Sequence, residues 1–151
     1  MKTSQKGIDL IKEFEGFKNN IYICPAGKHT IGYGHVLVGD EIRNIKGPIT
    51  KDQAEILLRN DVKYTEEAIN LLVKVNLTQE QFDALVSLVY NWGVNNFKHS
   101  EGLKKLNQKK YEEAIKEFFS KEAGVVSINK NFSNGLYRRR QRELELWNLI
   151  N

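Results

Sequence analysis

The sequence predicts an α+β protein with segregated elements: a short helix, a small antiparallel sheet, a long helix, then a helical remainder. Three observations lead there. A helical pattern stops at Gly16, a Gly-rich stretch with β-branched and aromatic runs fills residues 17–48, and helical spacing holds from Pro48 onward.

The first helix is expected over 4–15, where Ile8, Ile11 and Glu15 share a face and Gly16 stands at the left-handed C-cap position. Glycines at 27, 32, 34, 39 and 47 then punctuate the short runs 21–23, 30–33 and 36–38, the texture of a tight-turned sheet. Thr50-Lys-Asp-Gln53 is a capping box. It opens a helix expected to run unbroken over 51–73, with a stripe at 54, 57, 58, 61, 65, 68, 69 and 72. That stripe is apolar except for Asp61 and Thr65. A second box, Thr78-Gln-Glu-Gln81, with a Leu77–Phe82 staple, opens a helix through Tyr90 that is apolar on most faces and therefore central. Further helices are expected near 101–107 and 109–120, and a last one over 134–150. The chain reads as a single domain, 1–151. Its sheet lobe spans about 13–50, its connecting helix 51–73, and its helical lobe 74–151, packed with helix 4–15.

Composition bounds the function. A chain of 151 residues can bury about 70 % of its unfolded surface and needs no staples. Cys24 is the lone cysteine, so no internal disulfide forms. No apolar run is long enough for a signal peptide or a membrane span, so with Met1 as the start the chain carries no export signal. The net charge of +4 and the RRRQR run at 138–142 favour a polyanionic partner. That run has no interleaved aromatics, so no nucleic acid is expected. The three histidines lack ligand spacing, so no metal is expected.

Glu15 ends the first helix, where the partial negative charge of the last carbonyls favours a protonated carboxyl, the state a general acid needs. The chain continues Phe17-Lys-Asn-Asn-Ile-Tyr22-Ile-Cys24-Pro-Ala-Gly27-Lys-His-Thr30-Ile-Gly32-Tyr33-Gly34-His35. The spacing Glu15, eight residues, Cys24, five residues, Thr30, with TIGYGH intact at 30–35, resembles the active-site region of phage lysozymes of glycoside hydrolase family 24. ITKDQAE at 49–55, Asn91-Trp-Gly93 followed by Phe97, and GLYRRRQRE at 135–143 extend the resemblance over nearly the whole chain.

The resemblance implies a lysozyme-like fold and hydrolysis of the β-1,4 bond from N-acetylmuramic acid to N-acetylglucosamine in peptidoglycan, without metal or cofactor. It implies Glu15 as acid, Thr30 as holder of a water, and residue 24 beside that water. It further implies a monomer that waits in the host cytoplasm until a holin or similar lesion opens the membrane to the wall. Cys24 departs from the commoner Asp. An ordinary thiol, of pKa about 8.5, is mostly neutral at pH 7. The readings open for it are a weakly polarising thiol, a thiolate nucleophile and an inert strand residue. With one carboxylate, the spacing rule for inversion or retention does not apply. A lytic transglycosylase cutting the same bond, or a non-catalytic wall-binding homologue, stays in play.

Tyr33, Asn91 and Phe97 are candidate sugar contacts, with core packing the competing role for the two aromatics. Trp92 and Trp147 are expected in the core. Asp61, a carboxylate in an apolar stripe, needs a partner, and His35 is the expected one. In the last helix Leu136, Arg139 or Arg140, Glu143, Trp147 and Ile150 share a face, so an Arg–Glu pair is expected to serve structure. One of these arginines could reach Glu15.

Overall fold

The computed structural model describes residues 1–149 and has two compact units, 11–63 and 1–10 together with the chain from Tyr64 onward. Helix α1, Gln5–Glu15, belongs in part to each.

The 11–63 unit is built on a three-stranded antiparallel sheet, β1 (Lys18–Ile23), β2 (His29–Gly32) and β3 (His35–Val36), in that spatial order. Tyr22 pairs with Thr30 and Ile23 with His29, after an irregularity between Lys18 and Tyr22. On the other side of β2, Thr30 pairs with Val36 and Ile31 with His35. The middle strand is covered on both faces, since both Thr30 and Ile31 are buried. A one-turn helix α2 (Glu41–Asn44), absent from the sequence reading, follows. Helix α3 (Lys51–Asp61) then packs on the sheet through Ala54 and Leu58. Its Thr50–Gln53 capping box is formed in both directions.

The single helix expected over 51–73 is a correction. It breaks at Val62, and α4 (Lys63–Leu72) begins beyond. Buried positions 54, 58, 62, 65 and 69 keep helical spacing straight through the break. The apolar pattern therefore reads as one helix although the backbone makes two. The boundary between the units falls at the same place.

In the other unit, α5 (Gln79–Trp92) starts at a complete Thr78–Gln81 capping box and is buried without interruption from Phe82 to Val89. Five of those side chains (Phe82, Leu85, Val86, Leu88 and Val89) are large and apolar. Each contributes about 1.5–3 kcal/mol, which makes α5 the core of the unit. Around it come α6 (Val94–Lys98), α7 (Glu101–Asn107), α8 (Tyr111–Phe119) and α9 (Asn134–Trp147), with a hairpin β4–β5 (Ser127–Ile128, Asn131–Phe132) before α9. Helix α6 and the hairpin are further additions. The hairpin turns through Asn129 and Lys130, both at positive φ (50° and 69°). Lysine is no signal for that turn, so the sequence hid it. The expected extension of the last helix to Ile150 lies outside the described residues.

The chain's start is tied down by two carboxylates. Asp83, fully buried on α5, accepts from the Ser4 backbone N–H at 2.9 Å and from the Ser4 hydroxyl. Glu66 accepts from the Thr3 N–H at 2.7 Å and hydroxyl at 2.6 Å. These orient the first turn of α1.

Candidate active site

Glu15 is the last residue of α1, and Gly16 follows at φ 70°, the left-handed conformation that stops the helix there. The Glu15 side chain is half-buried. Its Oε2 would lie 3.3 Å from a Cβ placed on Gly34, which itself sits at φ 77°. A side chain at 34 would be strained by its backbone and pressed against that carboxylate. The second glycine of TIGYGH is therefore a wall of the Glu15 site, a role that spacing alone did not reveal.

Cys24 and Thr30 come together at the head of the β1–β2 hairpin, in the same unit as residue 15. The Cys24 N–H donates to the Lys28 carbonyl at 3.0 Å, closing the turn, and the Thr30 hydroxyl donates to that carbonyl at 2.9 Å. The Lys28 backbone N–H, then the Thr30 hydroxyl, hold the Cys24 thiol below its ordinary pKa, against a smaller opposing effect of burial. Along the chain, the neighbouring side chains able to lower that pKa are Lys28 and His29. The structure supplies backbone dipoles, which residue names do not carry.

Tyr33 and Phe97, both candidate sugar contacts, are corrected. Tyr33 is 6 % exposed, with Phe17 at 5.4 Å between centroids and the Lys12 ammonium over its ring at 5.3 Å. Phe97 is 0 % exposed and packs on Phe118 at 5.9 Å, in a chain of rings running through Phe119 to Trp147. Stacking on a sugar needs an open face, and neither ring has one. Trp147 is buried, whereas Trp92 is half-buried rather than in the core. Asn91, in the last turn of α5, is exposed, and its Oδ1 accepts from Arg140 Nη2 at 2.9 Å.

His35 is 5 % exposed and has a carboxylate on each ring nitrogen. Nδ1 stands 2.8 Å from Asp61 Oδ2, and Nε2 stands 3.0 Å from Glu41 Oε2. Asp61 first, then Glu41, raises the pKa of the imidazole against an opposing effect of burial. Glu41 was missed because it lies on α2, which has no sequence signature. The raised pKa means that His35 stabilises the fold fully below its unfolded value of about 6.5, and that this is lost as pH rises through the higher folded value. His35→Asn should accordingly cost about 1.5–3 kcal/mol near pH 6 and clearly less near pH 9, read by urea denaturation. A pH-independent gap would show that the ring is not held as a cation.

Between α5 and α9 lies a buried charged cluster. Arg140, Glu143 and Ser87 are 0 % exposed, and Arg139 is 4 % exposed. Glu143 receives the Ser87 hydroxyl at 2.5 Å, Arg140 Nη2 at 3.2 Å and Arg139 Nε at 3.4 Å, and its Oε1 lies 2.6 Å from Arg140 Nε. Burial pushes the Glu143 carboxyl up while the two guanidiniums pull it back. The Arg–Glu pair expected on this face thus uses both arginines, and Ser87 was unforeseen. Among the described residues, no group of three or more His, Cys, Asp or Glu is placed to hold a metal ion.

Comparison with known proteins gives a consistent picture. The phage lysozyme family model matches residues 12–143. The endolysin of Acyrthosiphon pisum secondary endosymbiont phage 1 is 42 % identical over 147 residues, 97 % of this chain and 98 % of that protein. Among solved structures, a variant of P22 lysozyme superposes with a TM-score of 0.83 at 34 % identity, covering 97 % of this chain and 98 % of that one. The muramidase domain of SpmX from Asticaccaulis excentricus superposes at 0.82 with 35 % identity, covering 99 % of each. Against the endolysin of Bacillus phage B103 the chain spans 54 % of the longer protein.

Proposed function

Because the chain belongs to the phage lysozyme family, we propose that it is a muramidase. It hydrolyses the β-1,4 bond from N-acetylmuramic acid to N-acetylglucosamine in bacterial peptidoglycan, as a glycosidase of the family 24 type. The observation that carries the reading is the Cys24–Thr30 pair, a polarised thiol beside a hydroxyl in the unit that also holds the Glu15 carboxyl.

In this mechanism Glu15 gives its proton to the bridging oxygen as the bond to the sugar carbon breaks. The Thr30 hydroxyl proton goes to the Lys28 carbonyl or to the Cys24 sulfur, so toward a water Thr30 offers a lone pair. Cys24 offers the second acceptor, and in its thiolate form, which the lowered thiol pKa favours, the sulfur takes up the water proton and becomes a thiol as the water oxygen bonds to the sugar carbon. A thiol so placed takes the part of the commoner carboxylate without forming a covalent sugar adduct. The reaction so written uses no metal and no cofactor. Asn91, exposed at the end of α5, is the remaining candidate sugar contact.

Among the described residues no helix is long and apolar enough to cross a membrane. Kinship with phage endolysins supports a monomer that reaches the wall from the host cytoplasm once a holin or equivalent lesion has opened the membrane. The deciding experiment is mass spectrometry of muropeptides released from purified sacculi. Reducing muramic acid ends are expected. Anhydro-muramic ends would make the protein a lytic transglycosylase, and binding without release would make it a wall-binding homologue.

A further inference from the structure

We infer that Arg140 is a positioning residue, fixing the Asn91 amide with its oxygen inward and its NH2 group outward, so that residue 91 offers the substrate hydrogen-bond donors only. The substrate class in this inference rests on the muramidase reading.

The argument starts from what a guanidinium can do. It carries donors alone and does not lose its proton in a protein, so any polar atom it faces must accept. Arg140 is fully buried; both of its terminal nitrogens donate hydrogen bonds, while Nε meets Glu143 as an ionic contact without a hydrogen bond. Nε lies 2.6 Å from Glu143 Oε1, Nη1 donates to the Val125 carbonyl at 3.4 Å, and Nη2 donates to Glu143 Oε2 at 3.2 Å and to Asn91 Oδ1 at 2.9 Å. The two ends of an asparagine amide are often interchangeable. Here they are not: turning the amide over would set its N–H groups against a buried cation.

The grip is reinforced along α5. Ser87 lies one turn before Asn91; its hydroxyl donates to Glu143 at 2.5 Å and its carbonyl accepts from Arg139 Nη2 at 3.1 Å. Arg139, Arg140 and Glu143 on α9 therefore hold two successive turns of α5, and the second ends in the exposed amide. The Asn91 Nδ2 has no hydrogen-bond partner among the described residues. Its two N–H groups suit a carbonyl acceptor, and in an N-acetylated glycan that is the acetamido oxygen. A pre-set donor loses less rotational freedom on binding than a free one.

The test compares Asn91→Asp with Asn91→Ala on soluble peptidoglycan fragments, with melting temperatures beside the kinetics. Aspartate keeps the oxygen facing Arg140 and replaces the outward donors by an acceptor. Asn91→Asp is therefore expected to melt at or above the wild-type temperature while KM rises about tenfold with little change in kcat. Asn91→Ala is expected to melt about 3–6 °C lower, having lost the Arg140 contact as well. A wild-type KM in Asn91→Asp overturns the donor role, and equal melting losses in both variants overturn the Arg140 restraint. A wild-type protein that cuts no peptidoglycan overturns instead the muramidase reading and with it the acetamido assignment, the melting comparison still deciding the restraint.

Discussion

Glu15→Gln is expected to lower turnover on a peptidoglycan suspension by about 10²–10⁴-fold, the contribution of a well-placed general acid. Glutamine keeps the length and shape of the side chain and fits the space that Gly34 leaves by lacking a Cβ. It cannot give a proton to the leaving oxygen, so the loss falls on kcat, and the melting temperature should stay close to that of the wild type. Two companion variants locate the rest of the chemistry. Cys24→Asp should clear the suspension, since a carboxylate at the head of the hairpin can do what the polarised thiol does. Cys24→Ala should clear it more slowly than the wild type, but with a smaller loss than Glu15→Gln. Full turnover in Glu15→Gln would remove Glu15 from the reaction, whatever the family.

The second large effect is on stability. Glu143→Ala should cost about 3–5 kcal/mol and lower the melting temperature by about 10 °C or more. The residue is fully buried between two guanidiniums and a serine hydroxyl. Its removal strands the charges of Arg139 and Arg140 in the interior without a counter-ion. The control is Glu145→Ala on the same helix, where Arg142 donates to Glu145 at 2.7 Å. That carboxylate is 65 % exposed and its partner 43 %, so the loss should stay within about 1 kcal/mol. Similar losses in the two variants would mean that the α5–α9 cluster is not what holds these helices together.

Much of the candidate site was named by the sequence because its parts are close along the chain. Glu15, Cys24 and Thr30 lie within sixteen positions, and a helix end followed by a Gly-rich hairpin is a local pattern. Both capping boxes were legible for the same reason, each being a four-residue signal whose partners find each other within one turn. Asp61 announced itself as a carboxylate in an apolar stripe, and His35 as a histidine in want of a partner. Glu41 did not, because a solvent-loop glutamate looks the same whether or not it closes on a ring six residues back.

The failures share one cause. Periodicity says which residues turn inward but not what they meet there, so Tyr33 and Phe97 were legible as aromatics near the site and illegible as occupied ones. The same limit hid the break at Val62, where the buried stripe continues although the backbone does not. It also hid Gly34, whose importance is the carboxylate oxygen that a Cβ would meet.

The sequence by itself determined the fold class and the family and pointed to Glu15 as the candidate acid, since these follow from local spacing. Only the tertiary structure decided how the thiol of Cys24 is polarised and which way the Asn91 amide faces. The first depends on the backbone N–H of Lys28 and the second on an arginine forty-nine positions away. Both are properties of dipoles and charges brought into contact by folding, and contact of that kind is absent from a chain read one residue at a time.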